Sequence, residues 1–221
     1  MKTVSDSKLT ARLLIEINAI NFNFENPYSL SSGFLSPSYV DCRKIISYPK
    51  VRAKIIELMV KKIEQDIGLK AVEYVIGGET AGIPFAALIA NKLQVPLAYV
   101  RKETKKYGKN KLIEGEVFKE KECLLIEDLM TDGKSKIGFL QKIRDHRIKC
   151  NHGMVVFNYN IFPQTKQRLR ENKIKIHHLA TWQDVYDEIT ENSDFDKATI
   201  KQIKNFIDNP IKWSDDRKNK I

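Results

Sequence analysis

The chain has 221 residues, which at about 150 residues per domain makes one domain or one domain with an appendage. A composition of 42% hydrophobic and 9% aromatic residues, with only 10 Gly and 7 Pro, excludes a disordered or collagen-like chain. Lys and Arg number 38 against 28 Asp and Glu, and the resulting +10 fits a phosphorylated substrate, nucleic acid or solubility alone without choosing among them.

Leu9, Leu13, Leu14, Ile17 and Ile20 recur at helical spacing and predict an amphipathic helix over 9–20, and Ile55, Ile56, Met59, Val60 and Ile63 predict another over 52–64. Between them, Asn26-Pro27 and Ser31-Ser32-Gly33 punctuate a polar stretch that ends in an extended-looking segment at 38–42, read as a small hairpin or flap. From residue 72 the pattern alternates. Short apolar runs at 72–76, 95–100, 123–126, 154–157 and 174–179 read as strands, and 83–93 and 137–143 read as helices. That alternation predicts an α/β fold, a parallel sheet flanked by helices on both faces. The polar, lysine-rich stretch 101–119, with Gly108 and Gly115, is longer than an ordinary connection, and such loops are usually functional or mobile. The end of the chain predicts short helices at 182–189 and 196–207, closed by Asn209-Pro210. The organisation expected is an N-terminal helix and hood over 1–45, an α/β core over 46–180, and a helical C-terminal extension of the same domain over 181–221.

Cys42, Cys123 and Cys150 are widely spaced, without a CxxC or a nearby His pair, and read as free thiols. No run approaches the about 18 apolar residues of a membrane span, and the first twenty residues carry acids and lack a signal-peptide core, so a cytoplasmic protein is expected. No RNP, KH, helix-turn-helix or zinc-finger pattern accompanies the positive charge, so nucleic acid is not the expected partner. His177-His178, His146 and His152 read as structural or surface residues, and Trp182 and Trp213 as packing anchors.

The most informative segment runs from Cys123 to Ser135, where a buried strand leads into Glu127 and Asp128 and then a turn, Thr131-Asp132-Gly133, that opens a helix. Ligands of α/β sheets sit beyond the carboxyl ends of the strands. Backbone N–H groups at the helix start, with the hydroxyls of Thr131 and Ser135, suit a phosphate dianion, and Gly133 permits close backbone approach. Gly133-Lys134-Ser135 matches the end of a Walker A loop, but Asp128 stands where its first glycine is required, which disfavours a nucleoside-triphosphatase. Two carboxylates beside a phosphate site suit sugar hydroxyls or a Mg²⁺ ion, and the competing reading is a strand end followed by a capped turn.

In residue class this segment resembles the phosphoribosyl-pyrophosphate (PRPP) signature of the type I phosphoribosyltransferases, with Glu127 where Asp is more usual. Upstream, Gly77-Gly78-Glu79-Thr80-Ala81-Gly82 follows a strand and is similar to that family's pyrophosphate loop. Two further segments resemble the orotate branch of the family. The stretch from Arg101 to Gly108, continuing through Ile113-Glu114-Gly115, is similar to its mobile catalytic loop, and Tyr28 to Asp41 is similar to its hood. A basic loop suits the reaction on physical grounds, because displacing pyrophosphate from an anomeric carbon builds charge that incoming cations stabilise while closure excludes water.

The resemblance implies a type I phosphoribosyltransferase fold and transfer of 5-phosphoribosyl from PRPP to orotate, giving orotidine 5-phosphate and pyrophosphate in pyrimidine biosynthesis. It implies that Lys105, Lys102 and Asp128 are catalytic. Arg101, Lys102 and Lys105 would meet the pyrophosphate, together with Glu79, Thr80, Ala81 and Gly82. Glu127 and Asp128 would hold the ribose hydroxyls, Thr131, Asp132, Gly133, Lys134 and Ser135 would hold the 5-phosphate, and Leu129 and Met130 would be substrate-binding residues between them. Thr131 and the backbone at Tyr39 and Val40 would face the pyrimidine, and Ser31 and Tyr107 stand at further substrate positions. Mg²⁺ would arrive mainly through PRPP, with Asp128 as a protein ligand, and a homodimer would share loop 101–115 between subunits. Ser31, Tyr107 and Ala81 replace the Lys, His and Lys often found there, and 155–163 carries no Arg for the orotate carboxylate. Arg43, hood N–H groups or a lysine are the candidates for that carboxylate. The alternatives are a purine-base phosphoribosyltransferase and a non-catalytic PRPP-sensing regulator that binds nucleic acid.

Overall fold

The computed structural model describes residues 4–30, 32–103, 111–192 and 195–218. Helix α1 (Asp6–Glu16) begins where the Ser5 hydroxyl accepts from the Lys8 N–H at 3.3 Å, and it buries Thr10, Ala11 and Leu14. It stops four residues short of the helix expected over 9–20. Asn18 adopts a left-handed φ of 53°, a conformation Asn tolerates better than most residues, and Ile20 enters a strand instead. That strand, β1 (Ile20–Phe22), reappears below as the partner of β4.

The expected flap is two small antiparallel ribbons. Strand β2 (Tyr28–Ser29) pairs with β3 (Leu35–Ser36), and β1 pairs with β4 (Ser38–Val40), with Ile20 opposite Val40. A 3-10 turn (Cys42–Ser47) leads to α2 (Pro49–Asp66), whose proline occupies the first turn, where its missing N–H is no loss.

The core follows as β5 (Tyr74–Gly78), α3 (Gly82–Leu93), β6 (Leu97–Val100), β7 (Ile113–Glu114), β8 (Glu122–Met130), α4 (Lys134–Asp145), β9 (Lys149–Asn158), α5 (Pro163–Glu171) and β10 (Lys175–Thr181). These strands form one six-stranded sheet in the order β10-β9-β8-β5-β6-β7, parallel except for the edge strand β7. The predicted α/β class is therefore present, with β8 and β9 longer than their apolar runs because both continue into polar residues. Alternation along β8 divides the interior. Leu124 and Ile126 join one large cluster with Leu14, Ile55, Met59 and Phe85 from α1, α2 and α3, and Cys123 and Leu125 join a second with Phe139 and Leu140 of α4.

The chain ends in α6 (Trp182–Asn192), α7 (Lys197–Asp208) and α8 (Pro210–Lys218). Pro210, read from sequence as a stop, starts a third helix instead, because proline at the first helical position costs no hydrogen bond. Trp182 is fully buried, edge-on to Phe157 and Tyr159, and Trp213 packs against Phe206 at 5.4 Å, so both act as packing anchors. The three cysteines are free and buried. At the amino ends of β9 and β10, His177 bonds Asp66 of α2 at 2.7 Å and His152 bonds His177 at 3.0 Å, a brace between helix and sheet. No helix among the described residues is long and apolar enough to cross a membrane.

Candidate active site

Strand β8 does not stop at its two acids but runs through them to Met130. Successive side chains leave a strand on opposite faces, so Glu127 and Asp128 diverge. Asp128 lines a cavity of about 380 Å³ at the carboxyl ends of the central strands, the place where a parallel sheet presents a ligand site. The hood supplies one wall, with Ser29, Leu30, Tyr39, Val40 and Arg43. The turn after β8 supplies another, with Leu129, Thr131 and Ser135, while Ala81, Lys102, Lys136 and Tyr159 complete the lining.

Asp128 is 7% exposed, and its Oδ1 accepts from the Leu129 N–H at 2.7 Å. Burial raises its pKa, against the pull of Lys136 and Arg43. Glu127 faces α4 instead. Its Oε1 accepts from the Gly82 N–H at 3.1 Å and its Oε2 accepts from the Lys136 ammonium. The carboxylate thus caps the N-terminus of α3, where the unpaired N–H groups and helix dipole favour a negative charge. Burial nevertheless pushes its pKa up to about 7, with Lys136 opposing and Asp128 adding to the rise.

The turn between β8 and α4 depends on Gly133, whose φ of 82° is left-handed and costs glycine little. Asp132 braces it from behind. Its Oδ1 accepts from the Lys134 N–H at 3.2 Å and its Oδ2 from Arg168 of α5 at 3.1 Å, while the Lys134 side chain stays 64% exposed. Thr131 and Ser135 are left lining the cavity, so the turn brings two hydroxyls to the start of α4. Met130, Asp132 and Gly133 support that turn from within the fold.

The turn after β5 approaches β8 so closely that a Cβ on Gly82 would lie 2.3 Å from the Ile126 carbonyl oxygen. The Glu79–Thr80 peptide is cis. Glu79 faces the root of the long loop, where its Oε2 accepts from the Lys102 N–H at 2.8 Å and its Oε1 lies 3.6 Å from the Arg101 guanidinium. Lys142 of α4 grips the same root by donating to the carbonyls of Arg101, at 3.3 Å, and Lys102. Lys102 therefore reaches the cavity from a fixed point. Lys105, Tyr107 and Ser31 lie outside the described residues.

The structure brings together Tyr39, Val40, Ala81, Lys102, Asp128, Leu129, Thr131 and Ser135 around one space. It adds Ser29, Leu30, Lys136 and Tyr159, which sequence reasoning missed, and it puts Arg43, named there only as a candidate for a carboxylate, on the same wall as Tyr39. Lys136 did carry a signal: a cation in the first turn of a helix opposes the dipole and calls for a compensating acid. Among the described residues no three His, Cys, Asp or Glu side chains gather as a metal site.

Residues 44–184 match the family model for the phosphoribosyl transferase domain. Over 212 residues the chain is 45% identical to an orotate phosphoribosyltransferase of Roseobacter denitrificans, covering 96% of this chain and 94% of the relative. Its fold is also similar to that of orotate phosphoribosyltransferase from Aeropyrum pernix, with a TM-score of 0.69 and 23% identity over 82% of this chain and 99% of that one. Leishmania donovani UMP synthase superposes with a TM-score of 0.77 and 22% identity, covering 90% of this chain and 42% of the longer protein. At these identities the two structures bear on the fold, and the sequence relative bears on the family.

Proposed function

The chain belongs to the orotate phosphoribosyltransferases, and from that premise we propose that its cavity joins orotate to the ribose of PRPP, releasing pyrophosphate, in pyrimidine biosynthesis. The observation that carries this reading is the shared cavity itself, in which the hood, the phosphate-suited turn, Asp128 and the root of the basic loop all meet.

The chemistry follows from those positions. Thr131, Ser135 and the start of α4 receive the 5-phosphate, since a helix N-terminus favours an anion. Asp128 accepts from the ribose hydroxyls and fixes the sugar. Ala81 and Lys102 border the space left for the diphosphate, where Lys102 and, on loop closure, Lys105 offset the charge that develops on the leaving group. Orotate fits between the hood and Thr131. The bond from its ring nitrogen to the anomeric carbon forms as the bond to pyrophosphate breaks, and the nitrogen's proton passes to solvent, so positioning and electrostatics carry the step without a strong protein base. A Mg²⁺ ion carried in by the diphosphate would add charge neutralisation there. Asp128, a single carboxylate lining the cavity, fits an ion held chiefly by phosphate oxygens and water.

The reading includes a cytoplasmic homodimer in which loop 101–115 completes the neighbouring subunit's site. Mixed dimers of Lys105→Ala and Asp128→Asn subunits should regain activity that neither parent has. Hybrids formed but inactive would refute loop exchange.

The reaction itself is tested by the fall in orotate absorbance on mixing protein, orotate, PRPP and Mg²⁺, with adenine, hypoxanthine and uracil assayed in parallel by pyrophosphate release. Turnover with orotate supports the reading. Turnover with a purine alone would overturn the substrate, and silence with every base would overturn the activity and favour a PRPP-sensing regulator.

A further inference from the structure

Orotate carries a carboxylate that a bare pyrimidine lacks, and a cation beside the hood would offset the cost of taking it out of water. Among the described residues lining the cavity, the cations are Arg43, Lys102 and Lys136. Lys136 is paired with Glu127, and Lys102 stands across the cavity at the root of the long loop, where its backbone N–H donates to Glu79. Arg43 alone lies on the hood wall with Tyr39 and Val40.

Its guanidinium is also held in place. The Nε donates to Asp41 Oδ1 at 2.8 Å and Nη2 donates to the Tyr39 hydroxyl at 2.7 Å, leaving the Nη1 edge without a bond among the described residues. An arginine braced on one side and open on the other offers a planar fork for a carboxylate at little cost in side-chain freedom. Tyr39 thereby serves twice, lining the cavity and aiming the arginine.

We propose that Arg43 is the specificity-determining residue that binds the carboxylate of the pyrimidine, with Asp41 and Tyr39 as its positioning residues. The inference rests on the reading of the cavity given above, and the experiment separates the two. Binding of orotidine 5-phosphate and uridine 5-phosphate, which differ only in that carboxylate, is measured by calorimetry on wild type, Arg43→Ala, Arg43→Lys and Tyr39→Phe, alongside orotate turnover.

Wild type should prefer orotidine 5-phosphate. Arg43→Ala should lose about tenfold in that affinity, the scale of one hydrogen bond to a charged group, while its affinity for uridine 5-phosphate and its KM for PRPP move less than threefold. Arg43→Lys should recover part of the preference and Tyr39→Phe should lose several-fold. A wild type inactive with orotate would defeat the functional reading. A wild type that turns over orotate, with Arg43→Ala and Arg43→Lys both folded and keeping the full preference, would defeat this proposal alone.

Discussion

Glu127 and Lys136 form an ion pair in which each side chain is only 7% exposed, and the same carboxylate also caps α3 through Gly82. One buried acid therefore ties together β8, α3 and α4, the three elements that carry the turns around the cavity. Such a pair is weak evidence for stability, because removing two charges from water costs about what their attraction returns, but breaking it by deleting one partner is expensive.

The titration of Glu127 gives the first prediction. Its folded pKa is pushed up to about 7 from an ordinary 4.5, so between those values the folded protein holds a proton that the unfolded chain has released. Stability from this group is thus full below the unfolded pKa and is lost as pH rises through the folded one, by at most about 3 kcal/mol. Buried His177 and the half-buried His152 and His178, whose pKa values burial lowers, act oppositely in acid, so the useful quantity is a difference. Urea unfolding of wild type and Glu127→Gln at pH 5.5, 7 and 8.5 should show the variant gaining on wild type as pH rises. A constant gap would mean that Glu127 does not titrate in this range.

Gly82→Ala should damage both fold and site. The added Cβ would lie 2.3 Å from the Ile126 carbonyl oxygen and 2.8 Å from the Glu127 carboxylate, and neither can yield without moving α3 off β8. A loss of about 1–3 kcal/mol is expected from overpacking, with weaker PRPP binding in whatever folds. Gly138→Ala, where an added Cβ meets nothing within 4 Å, is the control and should unfold at the wild-type midpoint or above. Equal behaviour of the two variants would show that the close approach is not required.

Most of the fold could be read from periodicity, because strands buried on both faces appear as short apolar runs and the long helices carry clear stripes. The stopping points were less visible. Ile20 continues the apolar spacing of α1 yet lies in β1, since spacing alone does not register the left-handed turn at Asn18. At the site, Asp128, Thr131 and Ser135 were legible as a local pattern on contiguous residues. Partners such as Lys142 for the loop root and Arg168 for Asp132 were not, because each depends on which way a helix face turns when it packs on the sheet. The divergence of Glu127 and Asp128 needed only one added fact, that the strand runs through both.

Lys142 tests the importance of a fixed loop root. It donates to the carbonyls of Arg101 and Lys102 from outside the cavity, whereas Lys102 lines it. Lys142→Ala should therefore lower kcat and raise the KM for PRPP, since small displacements of a positioned group are costly to catalysis. The unfolding midpoint should change little for a partly exposed residue with no carboxylate partner among the described residues. A large loss of stability with unaltered kcat would make Lys142 a packing residue only.

The C-terminal helix has a role that its charged sequence hid. Ser214 on α8 is fully buried, and its hydroxyl accepts from the Leu35 N–H of β3 at 3.0 Å, while Leu35 packs with Phe206 and Trp213. The tail thus holds the hood from behind, and the hood supplies one wall of the cavity. Ser214→Ala leaves a buried N–H without its acceptor, at a cost of about 1–3 kcal/mol. Because the loss falls on the hood, the KM for orotate should rise more than that for PRPP, and amide exchange should quicken at Leu35 before it does in β8. Equal changes in the two KM values, or exchange that quickens uniformly, would mean that α8 stabilises the whole domain and not the hood in particular.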